Sequence, residues 1–284
     1  MPVAASTHLT PSKGSPGDGS SVSSAELAPL VRAPARTGDD GYRWPRFELS
    51  LGGQLLATVN TRLRVDSSLG DGTDVDLEDD FDLESRLFAG RIDAIWRMGE
   101  RHALDFSLYD LQRTGTRVID RDITIGDTVF PVDTEVKSEF ENIIVKLAYR
   151  YSFLQHERWD AGASFGFHTM DWRAKWKATG GAGLEEDFDV TAPLPVLGVF
   201  GDYALTPKLY LSASSEFFGL QYEQFDGFMN NTRLNLEHRT FSHVGFGLGI
   251  DYFMINAGVE SENGRLDAQA DYDYLGLMAF VRLY

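Results

Sequence analysis

Between Asp66 and Ser85 the chain carries Asp66, Asp71, Asp74, Asp76, Glu78, Asp79, Asp80, Asp82 and Glu84 and no Lys or Arg. Carboxylates at alternate positions, with Gly70 and Gly72 permitting tight turns, resemble the oxygen set that a hard divalent cation takes. Asp74, Asp76, Glu78 and Asp80 are therefore candidate ligands for weak Ca²⁺ or Mg²⁺ binding, although their spacing is not that of an EF-hand loop. The alternative is a solvated acidic loop whose charges repel one another. A second constellation is His168, His243 and Glu216, assigned to one face of the strands described below. Two imidazoles and a carboxylate could bind a metal or do acid–base work, or could simply be hydrogen-bonded interior residues. The chain has no Cys, which removes disulfides, Cys-based zinc sites, thiol catalysis and covalent c-type haem attachment. No residue is assigned to catalysis or to a cofactor.

Extended strands must hold these groups. From Arg46 the residues alternate, with Phe47, Leu49, Leu51, Leu55, Ala57, Val59, Leu63 and Val65 on one face and Glu48, Ser50, Gln54, Thr58, Asn60, Arg62 and Arg64 on the other. A period of two marks a strand with one apolar and one polar face. The same grammar returns at Phe88 to Met98, interleaved with Arg91, Asp93 and Arg97, and at Ile143 to Phe153, interleaved with Lys146 and Arg150. Further strands are expected from His102, Trp159, about Phe188, Leu209, about Glu237, Ile255 and about Asp271. Gly99 to Arg101, Leu154 to Arg158, Thr206 to Lys208 and the Met254 region read as tight turns. Asp66 to Phe81, Ile119 to Glu135, Thr179 to Asp187 and Phe225 to Leu236 read as long polar loops. Short turns at one end and long loops at the other predict an all-β, antiparallel, up-and-down transmembrane barrel of about ten strands.

A soluble sandwich or lipocalin-like barrel would also alternate. Against it, the apolar face carries large aromatics near the short turns, including Trp96, Tyr149, Tyr151, Phe153, Trp159 and Tyr203, as an interfacial girdle would. The opposite face carries small residues and charges: acids Glu48, Asp93, Asp105, Asp160, Asp202, Glu216, Asp251 and Glu260, and bases Arg91, Arg97, Lys146, Arg150 and Arg239. Their near balance favours an ion-paired lumen over an open pore. A formal charge of −17 disfavours nucleic acid, and no apolar run is long enough for a transmembrane helix. Residues 1–43, rich in Ser, Pro, Gly and Ala, read as a disordered tail or linker without the apolar stretch of a signal peptide, leaving 44–284 as the barrel.

The chain ends Met278-Ala-Phe-Val-Arg-Leu-Tyr284, which resembles the closing strand that outer-membrane proteins present to their assembly machinery, with Arg282 where that family usually places an aromatic or apolar residue. Residues 46–284 resemble the small Gram-negative outer-membrane β-barrel proteins, including a group with an acidic Leu-Glu-Asp-Asp first loop, here Leu77 to Asp80, and a Pro-Leu-Pro strand start, here Pro193 to Pro195. The resemblance implies an outer-membrane location, with lipid, lipopolysaccharide, the assembly machinery and a periplasmic or surface protein as partners. It implies no chemistry. Omptin proteases use an Asp-His couple at the barrel mouth, and no Asp-x-His occurs here; nor does the His-x-Ser arrangement of lipid A deacylases, since Met170 stands where the Ser would be. The expectation is a structural or surface-interaction protein with a polar, largely plugged lumen. The alternatives are a narrow passive porin and a lipid- or peptide-processing enzyme.

Overall fold

A computed structural model describes residues 34–37, 41–66, 72–179, 183–222, 225–259 and 268–284. In chain order the elements are β1 (Pro34–Thr37), β2 (Arg43–Pro45), β3 (Phe47–Val65), β4 (Val75–Asp76), α1 (Leu77–Phe81), β5 (Leu87–Arg97), β6 (His102–Val118), β7 (Ile123–Ile125), β8 (Thr128–Phe130), β9 (Glu135–Gln155), β10 (Trp159–Ala178), β11 (Glu185–Ala204), β12 (Leu209–Tyr222), β13 (Phe225–His238), β14 (Val244–Val259) and β15 (Ala268–Leu283). Ten of these, β3, β5, β6 and β9 to β15, pair antiparallel in sequence order. β15 returns to β3, from Ala268 against Val65 to Leu283 against Leu49. The sheet is therefore a closed up-and-down barrel with no free edge at the ring closure.

Two connections differ from expectation. Phe225 to Leu236 is strand β13, the chain turns at residues 239–243, and β14 runs through Met254 without a break. β13 was obscured because Asn230 and Thr232 share its outward face with Leu234 and Leu236, while Asn231, Arg233 and Asn235 stand on the inward face, which removes the contrast that marks a strand. Most of the expected tail lies outside the described residues. Its end is ordered: β1 pairs with β2, and Tyr42 and Trp44 are buried against Ala204 and Tyr210. The Trp44 indole donates to the Glu157 carbonyl at 3.0 Å, so this segment closes the turn end of the barrel.

The barrel wall changes character along its length. In the turn-end half Leu147, Phe165, Leu197 and Leu248 point outward and are half or more exposed, a band that only lipid would cover. In the loop-end half of β9, β10 and β11 outward positions become charged: Glu139, Glu141, Asp171, Arg173, Lys175 and Asp189. There the apolar side chains turn inward, and Val59, Leu63, Met170, Trp176 and Ile255 join one buried cluster. β3 makes this change with a bulge: Gly276 pairs with Leu56 and Leu275 with Thr58, leaving Ala57 as the extra residue. Beyond it the alternation flips. Val59 and Leu63, expected on the lipid face, point inward, and Arg62, expected on the polar inner face, lies outside with its side chain 74% exposed.

Candidate functional site

The turn-end half of the lumen is filled by three linked sets of charges. Nearest the turns, Glu48 accepts from Arg97 at 2.6 Å and from Arg282 at 3.1 Å, and Arg282 also reaches Glu237 at 2.7 Å. Arg282 thus faces the lumen, where its unusual place near the chain end puts a cation between two acids. A second set joins Arg91 to Asp93 at 3.0 Å and to Asp251 at 2.9 Å, with Arg233 on Asp93 at 3.1 Å. Asp251 is fully buried and also accepts from Asn231 at 2.7 Å and the Tyr274 hydroxyl at 3.1 Å. The third set holds Lys146 between Asp105 at 3.1 Å and Glu216 at 2.8 Å, with Arg150 on Asp202 at 2.7 Å. Buried charges are tolerated only when each meets an opposite partner at hydrogen-bond distance, and these do. Members of all three sets, among them Glu48, Asp93, Asp105, Arg150, Glu237 and Arg282, line a cavity of about 50 Å³.

Most of the charges assigned to the lumen from sequence are therefore there. Glu260 lies outside the described residues. Arg233, Glu237 and Arg282 complete the lumen beyond those expectations: Arg233 falls in the segment expected to be a loop, Glu237 stands at the edge of an expected strand, and the facing of the last strand left Arg282 open. His168 and Glu216 do meet, at 2.9 Å, but Lys146 already occupies Glu216. His243 is exposed in the turn between β13 and β14 and takes no part. The mislocated turn had moved it onto a strand.

The acidic first loop does not hang free. β4 extends the edge of β3, and α1 buries Leu77 and Phe81 inside the barrel mouth. Asp76 caps α1, accepting from the Asp79 amide at 3.0 Å. Glu78 points inward, accepts from the Thr61 amide at 2.7 Å and pairs with buried Arg113. Burial holds its carboxyl above the ordinary glutamate value in spite of that arginine. Asp80 binds Arg121 at 2.8 Å, and Asp74 approaches Arg64 at 3.7 Å. Asp74, Asp76 and Asp80 line a surface groove interleaved with Arg62, Arg64 and Arg121, while Glu78 faces away from it. Among the described residues no three acidic or His side chains are gathered as ion ligands.

The loop-end half contains a feature the sequence reading did not find: an apolar chamber of about 300 Å³. Trp172, Trp176, Leu194, Phe188, Ile255 and Ala270 are among its walls. Beside it, Phe253 and Tyr274 stack at 5.5 Å and Trp172 meets Tyr272 edge-on at 5.7 Å, an aromatic layer between chamber and ion pairs. The second loop, expected to be polar, forms the β7–β8 hairpin and buries Ile123, Ile125 and Phe130 over the mouth. The signal was present in β10. Up to His168 its polar residues face inward, and from Asp171 onward they face outward, with Met170, Trp172, Ala174 and Trp176 inside.

No family model and no curated protein sequence matches the chain. Solved structures do. The outer membrane protease OmpT from Escherichia coli, 10% identical, aligns over 83% of this chain and 96% of its own with a TM-score of 0.52. OprG from Pseudomonas aeruginosa, 7% identical, aligns over 84% and 94% with a TM-score of 0.41. Ail of Yersinia pestis, 11% identical, aligns over 83% and 97% with a TM-score of 0.36. The closed ten-stranded ring and the likeness to the Escherichia coli protease give the chain the fold of the small Gram-negative outer-membrane β-barrels. At 10% identity the likeness to the protease shows the fold alone. Of the described histidines, His102, His156, His238 and His243 lie at the turn end and His168 within the lumen.

Proposed function

We propose that the chain is an integral outer-membrane barrel whose lumen does not conduct, and that it acts through its loop end as a structural or surface-interaction protein. The observation that supports this most directly is the lumen itself, where cations and acids from facing strands meet at hydrogen-bond distance across the turn-end half. A passive pore needs a continuous column of water past weakly held charges. In this reading the turn end lies in the periplasm, lipid and lipopolysaccharide surround the apolar band, and β15 is the strand offered to the assembly machinery. A protein partner would meet the charged loop end. The reading assigns no catalysis. The test is single-channel recording in planar bilayers of the purified, folded chain: no steady conductance is expected, and large, stable steps would overturn the proposal in favour of the porin alternative.

A further inference from the structure

We infer that the loop-end chamber binds one acyl chain of an outer-leaflet lipid, admitted sideways through a gap in the wall between β11 and β12. The inference rests on the outer-membrane reading but not on the state of the lumen, which lies on the turn-end side of the chamber.

The gap is a matter of pairing. β11 and β12 are hydrogen-bonded from Ala204 against Tyr210 up to Leu197 against Phe217 and, among the described residues, no further. β12 continues to Tyr222, but paired to β13 only, and β11 continues back to Glu185, paired to β10 only. Just past the last shared pair stand Pro195 and Pro193, which have no N–H to give a neighbouring strand, so their presence at an unpaired edge is what backbone chemistry demands. The outward residues of β11 place this edge relative to lipid. Tyr203, Val199 and Leu197 are exposed apolar groups, followed by the two prolines and Thr191, and only then by Asp189, Asp187 and Glu185. The gap therefore begins inside the apolar band, on its loop-end side.

The inward face of the same stretch is the chamber wall. Phe188, Val190 and Ala192 line the chamber, yet none is fully buried and Val190 is 38% exposed, so the cavity is open along β11. Its lining is mainly apolar, with Arg64, Thr73, Thr124 and Gln269 as the polar members, and the indole N–H groups of two further lining residues, Trp172 and Trp176, are buried without a hydrogen-bond partner, the residues being 6% and 1% exposed. An orphaned buried donor is costly and asks for an acceptor. A hydrocarbon chain with an ester or carboxyl oxygen supplies both the apolar body and the acceptor.

A second discontinuity in the wall makes the open one informative. β5 and β6 pair only from Arg97 against Ala103 to Arg91 against Tyr109, while β6 runs on to Val118. There the first loop fills the space: Glu78 joins Arg113 and the Thr61 amide, and the Glu84 amide reaches the Thr114 carbonyl at 3.4 Å. The described chain seals one gap from within and leaves the other beside an apolar cavity.

The test uses the full chain with Trp44, Trp96 and Trp159 changed to Phe, so that only the chamber tryptophans fluoresce. In nanodiscs of phosphatidylcholine brominated at mid-chain, contact quenching should remove at least half of the emission seen in unbrominated lipid. Narrowing the chamber by Ala192→Phe with Ala270→Phe, or by Ala257→Phe alone should the pair not fold, should restore most of it. Quenching that the narrowed variants leave unchanged would come through the wall and overturns the inference. Quenching only by dibromostearic acid added from water overturns lateral admission and assigns the chamber to a free acid. Quenching by neither overturns the site.

Discussion

The two halves of this barrel obey opposite rules on the same ten strands. At the turn end the outside is apolar and the inside is a lattice of ion pairs; at the loop end the outside carries Glu139, Arg173 and Lys175 while the inside is a hydrophobic core with aromatic packing. The loop-end half is built as a soluble barrel is, and the turn-end half is its inverse. The difference follows from the solvent. Where lipid surrounds the wall, polar groups have only the lumen to go to, and they are stable there only as matched pairs. Where water surrounds it, apolar burial again rewards an apolar interior. The change of solvent is therefore written along the strand, most plainly between His168 and Asp171 of β10.

The largest expected effect breaks the turn-end rule. Lys146→Ala strands the carboxylates of Asp105 and Glu216, and should cost about 3–5 kcal/mol in urea unfolding from lipid vesicles, with a cation-favouring leak in bilayers. Lys175→Ala removes an exposed loop-end pair with Glu185 and should cost under about 1 kcal/mol. Equal costs would mean that the lumen is solvated. Next in size is a charge placed on the outside of β9. Leu147→Arg, in the apolar band, should cost about 2–4 kcal/mol. On the same face of the same strand, Glu139→Arg should stay within about 0.5 kcal/mol. A similar penalty at both positions would remove the boundary between the halves.

The barrel itself was legible because lipid outside and charge inside exaggerate a period of two, as at Leu147 and Leu197 against Lys146 and Asp202. The lumen acids and bases followed from that face assignment. Three things were not legible. The Ala57 bulge inverts β3, and nothing in the residues announces it. β13 carries Asn230, Asn231 and Thr232 in a row, because polar residues there stand on both faces and Thr232 and Asn230 bond each other at 3.1 Å on the outer one. The chamber required noticing that alternation persists while its chemistry changes sides, which a strand-by-strand reading of charge as lumenal conceals.

The smallest expected effect concerns the first loop, and it decides to which half that loop belongs. Its carboxylates looked like a surface ligand set, yet Asp76 is engaged by the Asp79 amide, Asp80 by Arg121 at 2.8 Å, and Glu78 by Arg113, while Leu77 and Phe81 are buried in the loop-end core. An ion would have to displace arginines to bind. Asp76→Ala, which removes the helix cap, should therefore loosen this segment by about 1 kcal/mol, read as faster proteolysis of residues 72–86 with the barrel intact. Replacing NaCl with CaCl₂ at equal ionic strength should leave that cleavage rate unchanged, because both salts only screen pairs that are already made. Protection specific to Ca²⁺ would show instead that the carboxylates leave their arginines and gather round an ion. The loop would then be a cation-responsive surface element, and not the inner wall of the soluble-like half.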